Sequence, residues 1–256
     1  MPALAQDITC WIKDYAVNAN RQGLVIGISG GIDSSVVSTL SALTGMPVTA
    51  VTMPIRQLPA GHDLSLRHAA WLAEHYGNVT HHVVDLTDVF DAFAIKIHPY
   101  TDELGLANSR ARLRMTCLYQ IAQHTASLVV GTGNRVEDFG VGFYTKYGDG
   151  GVDISPIGDL LKTEVWNLGR ELGILDDIIS AAPTDGLWDD GRTDQDQLGG
   201  LDYAELELAM AQDQGSVAVA NREEQQRLEK YQALRRQNLH KMLPIPVYQK
   251  TLIHDL

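Results

Sequence analysis

The feature that most constrains the fold is the segment 23–40, which reads GLVIGISGGIDSSVVSTL. A short apolar stretch leads through two adjacent glycines into a helical pattern, and this order predicts a strand, a tight turn and a helix. Gly30 and Gly31 permit the backbone angles and the close approach that a phosphate group needs. The first amides of the following helix would then point at the anion. The segment therefore predicts a phosphate-binding loop at the end of a strand.

Asp33 is the most informative residue of this loop. A carboxylate among phosphates is repulsive unless a divalent cation lies between them, so Asp33 predicts a bound Mg²⁺. The chain contains no G-x-x-x-x-G-K-[ST] sequence, and this loop has no lysine that would accompany a terminal phosphate. The pattern therefore favours a site that holds a leaving pyrophosphate over one that transfers the terminal phosphoryl group.

Two other interpretations of the loop stay open. The letters GISGG also satisfy G-x-S-x-G, the nucleophile elbow of α/β-hydrolases, in the strand–turn–helix setting that this motif requires. That interpretation gives Asp33 no task, and no HGGG-type oxyanion sequence accompanies it. The other alternative is a plain tight turn before a helix. Labelling by a serine-directed fluorophosphonate would favour the hydrolase.

The rest of the chain alternates short apolar runs with amphipathic stretches. Strands are predicted at 24–28, 48–53, 81–85 and 127–131, and helices at about 34–44, 62–77, 86–97, 107–125, 160–172, 202–212 and 221–239. Segments 132–158 and 183–200 show no clear period. Strands that alternate with helices predict an α/β fold, a doubly wound parallel sheet flanked by helices, here in a single domain over 1–256.

Three loops are expected to meet at the carboxyl edge of this sheet, where ligands bind at the switch point of the strand order. They are the loop at Ser29, the loop after the second strand with Arg56, and the loop after the fourth strand with Thr132 and Glu137. Glu137 is a second candidate magnesium ligand beside Asp33. Its role depends on the strand order, because only adjacent loops would bring the two carboxylates together.

The charge balance excludes some partners. With 20 basic and 32 acidic side chains the formal net charge is -12, which disfavours nucleic-acid binding. An anionic nucleotide then requires locally concentrated basic groups, for which Arg112, Lys146 and Lys162 are candidates. Arg112 and Arg114 are two positions apart on a predicted helix, so they are expected to have different partners.

Other features predict a cytoplasmic protein without a membrane segment. No apolar run approaches the ~18 residues that span a bilayer, and the first residues do not resemble a signal peptide. The only cysteines, Cys10 and Cys117, form no C-x-x-C pair and are predicted to be buried reduced thiols in helices.

Five motifs together make the chain similar to the ammonia-dependent NAD synthetases, members of the N-type ATP pyrophosphatase superfamily with an adenine nucleotide alpha hydrolase-like, Rossmann-like fold. They are GISGGIDSS at 27–35, ARLRM at 111–115, GTGNRVEDFGVGFYTKYGDGGVDISPIGDLLKTEV at 131–165, PTDGLWDDGRTDQDQLG at 183–199 and HKMLPIP at 240–246. The first motif is typical of the whole superfamily. TKYGDGG and PTDGLW are far more specific to the family.

The resemblance implies a function and a set of site residues. Family members convert ATP, deamido-NAD and ammonia into NAD, AMP and pyrophosphate through an acyl adenylate. The implied ATP contacts are Gly27, Ile28, Ser29, Gly30, Gly31, Ile32, Asp33, Ser34, Arg56, Thr132, Lys162 and Thr184. Asp33, Lys162 and Thr184 are the implied catalytic residues, and Asp33 and Glu137 the implied Mg²⁺ ligands. The implied deamido-NAD contacts are Arg112, Lys146, Asp153, His240 and Lys241.

The resemblance also implies a homodimer, and the lack of a glutaminase domain implies free ammonia as the nitrogen donor. One departure is that Met242 and Leu243 follow the His240–Lys241 pair where many relatives have basic residues, which leaves that contact open. The alternative function is a paralogous ammonia-dependent amide ligase that acts on another carboxylate. A tRNA-modifying enzyme or a nucleotide-binding sensor fits less well. Trp188 is a candidate for stacking on a ring.

Overall fold

The sheet is parallel and has four strands. The structure, a computed structural model, describes residues 2–57, 59–184 and 193–249. The strands are β1 (Gly23–Gly27), β2 (Val48–Thr52), β3 (Val79–Val83) and β4 (Ser127–Val129), in the order β3-β2-β1-β4. Leu24 of β1, one of the two inner strands, pairs with Val48 of β2 on one side and with Leu128 of β4 on the other. The predicted parallel α/β fold is confirmed, with strand ends shifted by at most two residues.

Helices cover the sheet and continue beyond it. They are α1 (Ala3–Asn18), α2 (Ile32–Leu43), α3 (Pro59–His75), α4 (Thr87–Lys96), α5 (Glu103–His124), a π-helix (Arg135–Val141), α6 (Lys162–Glu171), α7 (Asp176–Ser180), α8 (Asp194–Gln197), α9 (Tyr203–Asp213) and α10 (Arg222–Met242). The predicted helices are confirmed in type. The π-helix, α7 and α8 were not predicted, because a five- or four-residue helix is too short to show a 3.6-residue period and a π-helix follows a different one.

Both faces of the sheet are buried at β1, β2 and β4, whereas the edge strand β3 is partly exposed. Successive residues of β1 point to opposite faces, so Leu24 belongs to an apolar cluster with α1, α2 and α6, whereas Val25 packs in a second cluster with α5. Two covered faces explain why β1, β2 and β4 read as nearly continuous apolar runs rather than alternating ones.

A third apolar cluster lies outside the sheet. Val136 and Val141 of the π-helix pack with Leu206 of α9 and Tyr231 of α10, and all four are nearly inaccessible to solvent. The C-terminal helices are thus attached to the segment that follows β4, and α9 is held beside the carboxyl edge of the sheet.

The strand order places the switch point between β1 and β4. From β1 the chain winds outward through β2 to β3, and β4 then joins the opposite side of β1. Loops that leave neighbouring strands in opposite directions create a crevice at their carboxyl ends. Here the crevice lies between the glycine loop after β1 and the segment before the π-helix.

The prediction for Cys10 was wrong, because this thiol is exposed. α1 buries Ala5, Ile8, Ile12 and Ala16, which share one helical face, and Cys10 lies on the other. Cys117 is half-buried on α5, where burial raises the pKa of its thiol. Among the described residues, no helix combines the length and the apolar character that crossing a membrane requires.

One buried histidine joins α3 to the helix that follows the glycine loop. His68 is completely inaccessible to solvent, its Nε2 lies 2.9 Å from Ser38 Oγ of α2, and its ring stacks on Trp71. Burial lowers the pKa of His68 to about 4. Ser38 also donates a hydrogen bond to the carbonyl of Ser35, so its hydroxyl has a second partner.

The lowered pKa of His68 predicts a loss of stability in acid. Between about pH 6.5 and about pH 4 the unfolded chain binds a proton that the folded protein does not, so the free energy of unfolding falls as the pH falls through this window. The contribution lost is up to about 3 kcal/mol. Urea unfolding at several pH values should show a smaller loss in His68→Phe than in the wild type. An equally steep loss in His68→Phe would contradict the assignment.

Candidate active site

The glycine loop is ordered by its own serines. Gly30 has φ 88°, in the left-handed region that favours glycine. Ser29 Oγ lies 2.9 Å from Ser34 Oγ, and Ser34 Oγ donates a 3.0 Å hydrogen bond to the carbonyl of Gly31. α2 begins after Gly31, whose position as N-cap has no side chain to satisfy the first amides of the helix. These amides suit an anion at the mouth of the loop.

A buried lysine joins the two loops of the crevice. Lys162 is the first residue of α6 and is 3% exposed, and its Nζ lies 2.5 Å from Asp33 Oδ2 and 2.9 Å from Glu137 Oε1. Asp33 is in the first turn of α2 after β1, and Glu137 is in the π-helix after β4. The strand order therefore brings the two carboxylates together, which is the condition on which the prediction for Glu137 depended.

The three charges control one another's protonation. Burial alone would lower the pKa of Lys162, but the two carboxylates outweigh it and raise the pKa above its usual range, so the ammonium stays charged at neutral pH. Burial raises the pKa of Asp33, and the Lys162 ammonium offsets only part of that rise. Burial also raises the pKa of Glu137. The Lys162 ammonium and the Tyr203 hydroxyl together outweigh this effect, so the pKa of Glu137 is lowered.

Asn134 fixes the geometry between the carboxylates, and the sequence analysis did not identify it. It is fully buried, its Oδ1 accepts a 3.1 Å hydrogen bond from the amide of Glu137, and its Nδ2 donates at 3.3 Å to Asp33 Oδ1. Asn134 thus serves as N-cap of the π-helix and as a hydrogen-bond donor to Asp33. A Cβ on the preceding Gly133 would overlap the carboxylate of Asp138, so this approach requires glycine.

Tyr203, the first residue of α9, is a second site residue that the sequence analysis missed. Its hydroxyl lies 2.5 Å from Glu137 Oε1 and 3.0 Å from Asp194 Oδ2, and its ring centroid lies 4.8 Å from Lys162 Nζ. Burial, together with the charges of Glu137 and Asp194, raises the pKa of this hydroxyl far above its usual range. The tyrosine therefore remains a hydrogen-bond donor.

Glu207 anchors the helix that carries the lysine. Its two carboxylate oxygens accept hydrogen bonds from the amide and the hydroxyl of Thr163, at 2.9 and 2.8 Å. A carboxylate at the N-terminus of α6 also interacts favourably with the helix dipole. The residue next to Lys162 is thereby anchored, while Lys162 itself is held at its ammonium group.

Four of the five predicted acceptor-side residues lie in one chain of contacts. Arg112 Nε donates to the carbonyl of Lys146 at 3.2 Å, and Lys146 Nζ donates to the carbonyl of His240 at 3.0 Å. Lys241 Nζ donates to the carbonyl of Tyr144 at 2.7 Å. The end of α10 therefore lies against the loop that contains TKYGDGG, and the binding roles of these residues stay predictions.

Asp153, the fifth residue, supports the end of β4. Its Oδ2 accepts a 2.8 Å hydrogen bond from the amide of Val129, and its Oδ1 accepts one at 3.1 Å from the hydroxyl of Tyr119. Asp153 is exposed, and both oxygens have partners within the fold. Asp153 therefore has a structural role, and its role in acceptor binding stays a prediction.

The remaining predicted residues are more dispersed. Arg56 follows β2 with φ 49° and forms a 2.7 Å ion pair with Asp91 of α4. Arg114 donates to the carbonyl of Met53 at 2.9 Å, so its partner does differ from that of Arg112, as predicted. Thr132 is half-buried in the segment after β4, and Thr184 is exposed at the end of a described stretch.

Trp188 and most of the PTDGLW motif lie outside the described residues.

The two carboxylates provide oxygen ligands that suit a hard cation. No group of three or more His, Cys, Asp or Glu side chains with a metal-binding arrangement occurs among residues 2–57, 59–184 and 193–249. Mg²⁺ does not require one, because it is commonly held by one or two carboxylates, with waters and substrate phosphates completing its octahedron. Asp33 and Glu137 keep side-chain exposures of 17% and 14%, so the pair fits such an ion.

The amino-acid sequence matches a known protein family. The profile of the NAD synthase family matches residues 4–244, nearly the whole chain. The chain belongs to the NAD synthase family.

Curated relatives agree with this assignment. The chain is 38% identical to an NH₃-dependent NAD⁺ synthetase of Carboxydothermus hydrogenoformans, over 82% of this chain and 86% of the relative. It is 42% identical to an NH₃-dependent NAD⁺ synthetase of Methanosarcina acetivorans, over 74% of this chain and 73% of the relative.

Solved structures share the fold over almost the entire length. An NMN synthetase of Francisella tularensis superposes with a TM-score of 0.86 and 31% identity, covering 96% of this chain and 98% of that one. An NH₃-dependent NAD synthetase of Campylobacter jejuni gives a TM-score of 0.77 and 26% identity, with 96% and 97% coverage.

The position of Asn134 in this NAD synthase family member predicts a specific stability loss. Asn134→Asp keeps the oxygen that caps the π-helix but places a third carboxylate against Asp33, and loss of a buried charge-assisted hydrogen bond costs about 1–3 kcal/mol. Urea unfolding at neutral pH should show a decrease of that size. The matched control is Asn221→Asp, at the exposed N-cap of α10, where a change within ~0.5 kcal/mol is expected. Equal effects at the two sites would contradict the role of Asn134.

Proposed function

We propose that this protein amidates deamido-NAD with ammonia at the expense of ATP, giving NAD, AMP and pyrophosphate. The observation that carries the proposal is the buried Lys162 ammonium held between Asp33 and Glu137 at the mouth of the glycine loop. In the first step a nicotinate carboxylate oxygen attacks the α-phosphorus, and the bond to pyrophosphate breaks. Ammonia then attacks the acyl carbon and loses a proton, and the bond to AMP breaks.

The roles of the site residues follow from where charge develops. Negative charge grows on the α-phosphate during the attack and on pyrophosphate as it leaves, so donors fixed at these positions lower the barrier. The amides from Gly30 to Asp33 and the hydroxyls of Ser29 and Ser34 would hold the phosphates, with Thr132 and Thr184 as further contacts. Lys162 would stabilise the developing charge. Arg56 would have to exchange its ion pair with Asp91 for a nucleotide contact.

The proposed metal is Mg²⁺, bound by Asp33 and Glu137. When bound, it would supply positive charge that neutralises the triphosphate and polarises the bond that breaks. The two carboxylates would orient the phosphates relative to Lys162. Binding of a cation would also favour the ionised form of Asp33, whose pKa burial raises.

The proposed acceptor contacts are Arg112, Lys146, Asp153, His240 and Lys241. Three of them bring positive charge to one chain of contacts, although the whole chain carries a net charge of -12. This local concentration meets the demand that an anionic acceptor makes on an acidic protein.

A second candidate acceptor is nicotinate mononucleotide, another carboxylate. It is favoured by the similarity to the NMN synthetase of Francisella tularensis over nearly the full length. It also belongs to the class of paralogous amide ligases that act on a carboxylate other than deamido-NAD. Met242 and Leu243 directly follow Lys241, one of the proposed acceptor contacts.

We further propose a cytoplasmic, single-domain enzyme that uses free ammonia and forms a homodimer. Support for the dimer comes from large apolar side chains left exposed on α4 and in the segment after it. They include Ile95 and Tyr100, whose relative exposures are 74% and 77%. Contiguous exposed apolar groups are typical of protein interfaces.

The proposed reaction predicts defined products. Incubation with ATP, Mg²⁺, ammonium and deamido-NAD should yield NAD and AMP in equal amounts, measured by chromatography. The same assay with nicotinate mononucleotide compares the kcat/KM of the two acceptors, and deamido-NAD should be preferred. A preference for the mononucleotide would favour the second candidate, whereas formation of ADP would overturn both.

Lys162 is expected to act on turnover rather than on acceptor affinity. Removing a preorganised donor to a developing charge typically costs 10²–10³ in kcat. Lys162→Ala should therefore lower kcat by about that factor and change deamido-NAD binding, measured by calorimetry, much less. Lys13→Ala on the exposed face of α1 is the control and should behave as the wild type. Turnover equal to that of the wild type in Lys162→Ala would refute the assignment.

A further inference from the structure

The hydroxyl of Tyr203 lies between carboxylates from two separate parts of the chain. It is 2.5 Å from Glu137 Oε1 in the π-helix and 3.0 Å from Asp194 Oδ2 in α8. A phenol has a single hydrogen to donate, and the shorter distance assigns that hydrogen to Glu137. The bond is charge-assisted and buried, because Tyr203 is only 8% exposed.

The tyrosine and the lysine act on the same oxygen of Glu137. Lys162 Nζ is 2.9 Å from Oε1, the atom that also accepts from Tyr203. Because both donors contact Oε1, neither of them competes with a cation for Oε2, the other carboxylate oxygen of Glu137. Two donors on one oxygen fix the carboxylate plane, since rotation about the last side-chain bond would break both hydrogen bonds.

The ring of Tyr203 has its own fixed position. It packs edge-to-face on Trp166, with 5.6 Å between the ring centroids, and belongs to the apolar cluster of the π-helix, α9 and α10. Its face lies 4.8 Å from Lys162 Nζ, a cation–π distance. One side chain thus contacts both the lysine and one of its two carboxylates.

We propose that Tyr203 is a positioning residue that orients Glu137, so that Oε2 is presented to a divalent cation bound with the nucleotide. The proposal rests on the proposed function only in taking an ATP–cation complex as the ligand. Outer groups that orient metal ligands typically contribute 10- to 100-fold to metal affinity. A tyrosine that merely filled the apolar cluster would need its ring but not its hydroxyl.

The test removes the hydroxyl and keeps the ring. Tyr203→Phe is compared with Tyr231→Phe, which removes the hydroxyl of another buried tyrosine in the same cluster. The affinity of Mn²⁺ is measured by electron paramagnetic resonance in the presence of α,β-methylene-ATP, without acceptor or ammonia. We expect Tyr203→Phe to weaken Mn²⁺ binding by about 10- to 100-fold and Tyr231→Phe to match the wild type.

Both variants retain their rings and should unfold cooperatively in circular dichroism without ligand, with a lower thermal midpoint in Tyr203→Phe because that variant loses a buried charge-assisted hydrogen bond. Unchanged Mn²⁺ affinity in Tyr203→Phe, or equal losses in the two variants, would overturn the proposal. Binding is measured without turnover, so a wrong acceptor assignment leaves this result unaffected.

A kinetic measurement separates positioning from general damage. In Tyr203→Phe the concentration of Mg²⁺ needed for half-maximal turnover should rise by a similar factor, while the KM for deamido-NAD stays near that of the wild type. An increase in the KM for deamido-NAD with an unchanged Mg²⁺ requirement would contradict a role at Glu137.

Discussion

The structure depends on one ammonium group shared by two buried carboxylates. Asp33, Glu137 and Lys162 come from α2, the π-helix and α6, so the charge balance is complete only when three distant segments of the chain have folded together. Removing one partner of such a pair leaves an uncompensated buried charge, which is far more costly than the net gain from forming the pair. The cluster therefore imposes the relative positions of the loops that follow β1 and β4, and with them the shape of the crevice.

Each member of the charged cluster is held by a polar neighbour. Asn134 contacts Asp33, Tyr203 contacts Glu137, and Glu207 caps the helix that begins with Lys162. The supporting groups belong to the segment after β4 and to α9, so the C-terminal part of the chain stabilises a site whose glycine loop lies near the N-terminus. This division explains why the third apolar cluster, which lies outside the sheet, is important for the site. The apolar cluster holds α9 in the position where Tyr203 contacts Glu137 and Glu207 contacts Thr163.

The fold and the charged residues of the site could be predicted from the sequence, but the polar residues that support them, Asn134 and Tyr203, could not. Long apolar runs and amphipathic stretches report burial on one or two faces, and this periodicity is visible without a structure. Glu137 was predictable only as a candidate, because its position beside Asp33 follows from the strand order. Tyr203 begins a C-terminal amphipathic helix, where an aromatic residue indicates core packing, and its partner Glu137 is 66 residues away. The only local signal for Asn134 is an Asx residue three positions before an acidic one, which also fits an ordinary helix cap.

The contacts of Lys146 and Lys241 have a further consequence for binding of the proposed acceptor. Among the described residues each ammonium donates one hydrogen bond, to a backbone carbonyl, and an ammonium has three hydrogens, so two remain on each side chain for a phosphate or carboxylate of the proposed acceptor. Binding an anion then does not require release of α10 from the neighbouring loop. The two lysines hold α10 against the neighbouring loop before any ligand binds, and for the proposed acceptor a preformed surface would reduce the entropy lost on association.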